Sequence, residues 1–201
     1  MRLRLILVLG LIAAATALLV PVALAQRPAP RGTEAILIGA DGRTLGRVTM
    51  ERRASGGVEV RYRVRGLPPG DYKATHVHEV GTCDRAFRTA DGTPAPFTSA
   101  GGHWNPTGDS HSSHLGDFPP LQVSLGGTAE TTFVTDRFQP SQLLDANGSA
   151  VVIHANRDNQ GNVPGRYRSE PADQNGPDAA TLATGDAGGR LACGVVRPIR
   201  R

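Results

Sequence analysis

The chain has 201 residues, of which 39% are hydrophobic and only 4% aromatic, with 25 glycines, 15 prolines, two cysteines, six histidines and a formal net charge of +4. Every basic residue except Lys73 is an arginine, and no basic block is interleaved with aromatics, so the composition gives no support to nucleic-acid binding. The first segment, "MRLRLILVLGLIAAATALLVPVALAQ", places Arg2 and Arg4 ahead of an apolar run and ends in Ala23-Leu24-Ala25, the pattern of a secretory signal peptide over residues 1–25. The run is long for such a peptide, which leaves an uncleaved anchor as the alternative. Cleavage removes Arg2 and Arg4 and lowers the formal charge to +2. The mature protein is therefore expected outside the cytoplasm, secreted or in the periplasm or cell envelope, with no stable membrane insertion.

Residues 26–33 are rich in proline and arginine and are expected to be a flexible lead-in to one domain over residues 34–201. "EAILIGA" and "TLGRVTM" flank Asp41-Gly42, a hairpin signal. "GVEVRYRVRGL" alternates Val58, Val60, Tyr62 and Val64 with charged residues, the period of a strand with one buried face. "LQVSLGGTAETTFV" suggests a second hairpin around Gly126-Gly127, and "SAVVIHA" and "RLACGVV" are short apolar strands. No long helical period follows the first segment. The expected fold is all-β, a Greek-key sandwich or barrel. Two long polar segments, residues 82–120 and 156–189, interrupt it, and loops of that length in a compact domain are usually functional.

Two cysteines in an exported chain suggest a Cys83–Cys193 disulfide rather than two free thiols. Closing a loop of about 110 residues would stabilise the fold by roughly 4–5 kcal/mol in the chain-entropy account.

The histidines are concentrated. In "HVHEVGTC", His76 and His78 share one face of a strand while Val77 turns to the other. An isolated His-x-His is more often surface polarity than a metal site, but the remaining histidines change the balance. "SAGGHWNPTGDSHSSHLGD" carries His103, His111, His114 and Asp117, and "VVIHANRD" carries His154 and Asp158. Imidazoles with a carboxylate suit a divalent metal, and a further carboxylate beside them can fix the imidazole tautomer. "TGDAGGRLACGVV" sets Arg190 three residues before Cys193, so a Cys83–Cys193 bridge would bring a guanidinium near the His76/His78 strand, an arrangement that guides anions.

With "GLPPG", "HVHEVGTC", "SAGGHWNP", "HLGD", "VVIHA" with Asp158 and "GDAGGRLACGVV" in this order, the chain resembles the copper/zinc superoxide dismutases of the exported bacterial kind, from about Glu34 to Val196. The resemblance implies copper held by His76, His78, His103 and His154, and zinc held by His103, His111, His114 and Asp117. It implies that Asp158 links the two sets, that Cys83 bonds Cys193, that Arg190 attracts superoxide, and that His103 bridges the metals and serves as a proton donor. The implied activity is dismutation of superoxide to dioxygen and hydrogen peroxide. The alternative is a copper-binding or buffering protein on the same fold with little turnover.

The chain departs from the family pattern in three places. One extra residue precedes His76, and a bulge is expected there. The segment between Cys83 and His103 is long. Only Ser112-Ser113 separates His111 from His114, so a tight turn is needed to bring both rings to one ion. Relatives with a short zinc loop can bind copper alone, but the complete His/His/Asp set favours zinc.

Overall fold

The computed structural model describes residues 30–169 and 173–200. The signal-peptide reading, and with it residues 26–29 of the lead-in, lies outside the described residues. β1 (Gly32–Gly39), β2 (Thr44–Arg52) and β3 (Val58–Arg65) form an antiparallel meander. β1 thus begins at Gly32, ahead of the expected domain boundary, because Thr33 is buried and paired with both Met50 and Pro198. The turn at Asp41-Gly42 joins β1 to β2 as the sequence indicates, with Gly42 at φ 84°.

Val58, Val60, Tyr62 and Val64 on β3 are all buried, and each such side chain contributes about 1.5–3 kcal/mol. The Tyr62 hydroxyl stays satisfied inside the core, 2.8 Å from Thr75 Oγ1. β4 (Tyr72–Lys73) and β5 (Thr75–His78) follow, separated by Ala74. Pairing is irregular at Ala74, where the bulge is expected. Its N–H donates to Asn156 O and its carbonyl accepts from His154 N–H at the end of β8, both at 2.9 Å. β6 (Leu121–Gln122) pairs with β4, whereas β7 (Thr128–Thr135) pairs with β3. The turn at Ser124–Gly127 forms as expected, but the two-residue strand before it belongs to a different pair, which corrects the simple second hairpin.

β8 (Ala150–His154), β9 (Arg168–Ser169), β10 (Gln174–Asn175), the six-residue helix α1 (Ala179–Thr184) and β11 (Arg190–Pro198) complete the chain. The main sheet is antiparallel and curled, in the order β5-β8-β11-β1-β2-β3-β7. The chain crosses from β3 to β5 at the opposite edge and returns to β7, which is the Greek-key character of the sandwich. Among the described residues no helix is long and apolar enough to cross a membrane.

β8 is buried along its whole length, and the reason positions the site. Val151 and Ile153 face the main core, while Ala150 and Val152 pack outward against Phe97, Ala100 and Cys193 beneath the first long loop. A strand covered on both faces needs no polar side. His76 is the cross-strand partner of Val152, and Val77 that of Val151. The two β5 histidines therefore point outward from the barrel, under the two long loops, while Val77 enters the core.

Candidate metal centre

All six histidines are buried, none more than 7% exposed, so His76 and His78 are not a solvent-facing pair. Backbone pairing brings them together. The free edge of β5 is lined by the ends of one loop: His78 bridges His103 and His76 bridges Asp117. Trp104 N–H donates to Val77 O and Val77 N–H to Gly116 O, both at 2.8 Å. The approach at Gly116 is so close that a Cβ there would lie 2.7 Å from Val77 O. On the other edge β8 delivers His154, and β11 sets Arg190 opposite it. Two groups of four residues have donor atoms mutually within 4.8 Å: His76, His78, His103 and His154, and His76, His103, His111 and Asp117. His114 stands beside the second group, its Nδ1 3.2 Å from His103 Nδ1 and 3.3 Å from Asp117 Oδ1. The tight turn demanded by "HSSH" is present, with Ser113 N–H donating to Ser110 O and the two rings centred 5.4 Å apart.

The hydrogen bonds around the rings fix their tautomers. His78 Nδ1 lies 3.0 Å from Gly101 O and His154 Nδ1 3.1 Å from Gly188 O, so both Nδ1 atoms carry the proton. Both Nε2 atoms are then bare acceptors, yet they face each other at 3.2 Å. Two opposed lone pairs at that distance call for a cation. Asp158 spans His76 Nε2 at 2.8 Å and His111 Nε2 at 2.7 Å with its two oxygens. That leaves Nδ1 of His76 as an inward acceptor. It is buried without a hydrogen-bond partner, as is His103 Nε2. His111 Nδ1 lies 3.0 Å from Asp117 Oδ2, so a carboxylate faces each nitrogen of this ring. Buried polar atoms are rarely left unmatched, and this many bare nitrogens converging in one place fit metal ions.

Proton affinities divide the cluster. Burial, outweighing the Asp158 hydrogen bond, pushes His76 down to about 4. Burial and neighbouring His76 push His154 to about 3, and burial with the Arg190 charge holds His78 well below its ordinary value. These rings are neutral and ready to donate lone pairs. For His111, burial is outweighed by the two carboxylates that face it, Asp117 and Asp158, which raise it to about 9. The two carboxylates are held below the usual range because contacts to His103 and His111, and to His111 and His76, overcome their burial.

Arg190 is half-buried and rigidly placed. Its guanidinium donates to Phe97 O and to Gly101 O, both at 2.6 Å, and the second carbonyl is the one that fixes His78. Cys83 and Cys193 are bonded, with Cα atoms 5.7 Å apart. Sequence reasoning missed the carbonyls of Gly101 and Gly188, whose signal was the paired glycines of "AGGH" and "AGGR". It also missed Lys73, the one lysine, whose Nζ donates to Ala155 O at 2.6 Å and holds the segment after His154.

The family model described as copper/zinc superoxide dismutase (SODC) matches residues 44–196. A copper-zinc superoxide dismutase of Mycobacterium tuberculosis is 40% identical over 131 residues, 65% of this chain and 54% of the relative. The chain thus spans a little over half the length of the mycobacterial relatives it matches. A second relative, copper-zinc superoxide dismutase 2 of Aquifex aeolicus, is 32% identical over 172 residues, 80% of this chain and 84% of its own. The solved copper/zinc superoxide dismutase from Brucella abortus superposes with a TM-score of 0.61 at 25% identity, covering 83% of this chain and 99% of that one.

Proposed function

The chain belongs to the copper/zinc superoxide dismutase family, and from that premise we propose that it dismutates superoxide outside the cytoplasm. The observation that carries the reading is the opposed pair of bare Nε2 atoms on His78 and His154, set beside the unpartnered nitrogens of His76 and His103 and next to a fixed guanidinium. His76, His78, His103 and His154 would hold copper, and His103, His111, His114 and Asp117 would hold zinc, which supplies rigidity. Copper bound by imidazoles supplies a one-electron couple that both takes an electron from superoxide and returns one.

The overall change consumes two superoxide anions and two protons and yields dioxygen and hydrogen peroxide. The chain's own residues serve the anion and the protons. Arg190 draws superoxide towards the histidines, and its two carbonyl anchors keep it from collapsing onto a carboxylate. Asp117 holds His103 by Nδ1 at 3.0 Å, which leaves Nε2 as the atom that can carry a proton to the departing peroxide. Asp158 keeps His76 and His111 turned inward. The disulfide supports an oxidising compartment, in keeping with the signal-peptide pattern.

Metal analysis of the exported protein, paired with a superoxide-consumption assay, tests the proposal. One copper per chain with consumption proportional to copper is expected. Tight copper binding with no consumption would leave a copper store instead.

A further inference from the structure

The span of Asp158 between His76 and His111 needs empty space above the carboxylate, and the residue that supplies it is Gly185. Gly185 ends α1 in the left-handed region at φ 59° and ψ 23°, its N–H donating to Thr181 O. Its carbonyl accepts from Asn159 N–H at 2.9 Å, one residue after Asp158. A Cβ at this position would overlap both Asp158 Oδ1 and His111 Nε2, the two atoms of the 2.7 Å link, and would approach His111 Cδ2 to 2.8 Å. No other described glycine has Asp158 among its nearest atoms. Gly176 in the same loop also has a positive φ, 81°, but its nearest atom is Val163 O at 3.9 Å. Left-handed backbone is thus common to both glycines, whereas contact with the carboxylate belongs to Gly185. The same helix grips the other side of the link, because Leu182 O accepts the His111 N–H at 2.8 Å.

We propose that Gly185 is a positioning residue: its bare backbone lets α1 close over the Asp158–His111 link, and that closure sets how firmly the strand-borne His76 is tied to the loop-borne His111. α1 and the loop around it thereby become the clamp between the two halves of the centre, and the absence of a side chain at Gly185 is what allows the clamp to shut. The inference rests on the metal reading of the site.

The test loads the whole chain with copper and with cobalt(II), a visible-absorbing probe for the zinc position. Gly185→Ala should shift the cobalt spectrum and weaken cobalt binding by about 10–100-fold, the range for loss of a partner that orients a ligand. Gly176→Ala, which shares the backbone strain and lacks the contact, should keep the parent's spectrum and affinity. Asp158→Asn should resemble Gly185→Ala, and the double variant should be no weaker than Asp158→Asn, since both act through one link. A parent-like cobalt spectrum and affinity in Gly185→Ala, or losses that simply add in the double variant, would overturn the positioning role. Should Gly185→Ala not fold, adding His111→Ala removes the ring in the way and frees Asp158 to turn, so the pair should fold as His111→Ala does; failure of that rescue also overturns it. A parent protein that takes up neither copper nor cobalt would sink the metal reading together with this one, whereas a parent that binds both beside an unaffected Gly185→Ala sinks this one alone.

Discussion

His76, His78 and His154 stand on β5 and β8, where paired backbone fixes each Cα, whereas His111 and His114 lie within the loop between Trp104 and Gly116, whose two ends are laced to Val77. The loop-borne rings are oriented by the carboxylates of Asp117 and Asp158 and by the turn at Ser110–Ser113. Their proton affinities follow. Burial leaves the strand-borne rings neutral and lowers the loop-borne His114 as well, while two carboxylates make His111 hold its proton. One half of the centre is therefore prebuilt to accept a metal, and the other must give up the His111 proton for one. His103 and Asp158 join the halves.

The sharpest way to break the comparison is His76→Ala. It removes a strand-borne ring proposed to hold copper, and its cost in copper affinity should exceed the 10–100-fold typical of groups outside the ligand shell. Copper titration and superoxide consumption should fail together while the β-sheet circular-dichroism signal persists. Retained copper with full turnover would remove His76 from the ligand set.

The pH dependence of the metal-free protein separates the halves next. His76 and His154 have folded values near 4 and 3, below the ordinary 6.5, so the stability they contribute is present above pH 6.5 and is lost as the pH falls through those values. His111 is raised to about 9, so its contribution is present below 6.5 and is lost as the pH rises through 9. Melting temperatures should decline on both sides of the neutral range, and His111→Ala should abolish the alkaline arm only. A single acid arm in the parent would contradict the assignment.

The clustering of the six histidines was legible because few residue types can ligate and their order along the chain is distinctive. The strands were legible where one face is buried, as on β3. What was hidden depends on contacts between distant segments. The irregular pairing at Ala74 exists because Asn156 and His154 claim its backbone, and Leu121–Gln122 pairs with Tyr72–Lys73 rather than with its sequence neighbour. Neither Gly185 nor the carbonyls that hold Arg190 carries a local signature, because each matters only through what the fold sets against it.

Asp117→Ala tests the loop-borne half alone. Zinc affinity should fall by more than the 10–100-fold typical of groups outside the ligand shell, so the stabilisation from excess zinc should shrink by roughly 2.8 kcal/mol or more, with copper retained. Thermal melts with and without zinc measure it, and an undiminished zinc effect would place zinc elsewhere. The smallest effect is expected from Arg190→Ala, which belongs to neither half. Steering of the anion should weaken, with consumption slowed by about tenfold at low salt and less affected by added salt, and copper content unchanged. An unchanged rate at low ionic strength would remove the guiding role.

The most direct measurement is superoxide consumption by stopped flow on protein holding one copper per chain and no zinc, followed by zinc addition. A prebuilt strand-borne half predicts consumption proportional to copper before any zinc is present, with zinc raising the melting temperature and leaving the neutral-pH rate unchanged. Copper bound at full stoichiometry with no consumption until zinc arrives would contradict it, because the strand-borne histidines would then depend on the loop for their working geometry.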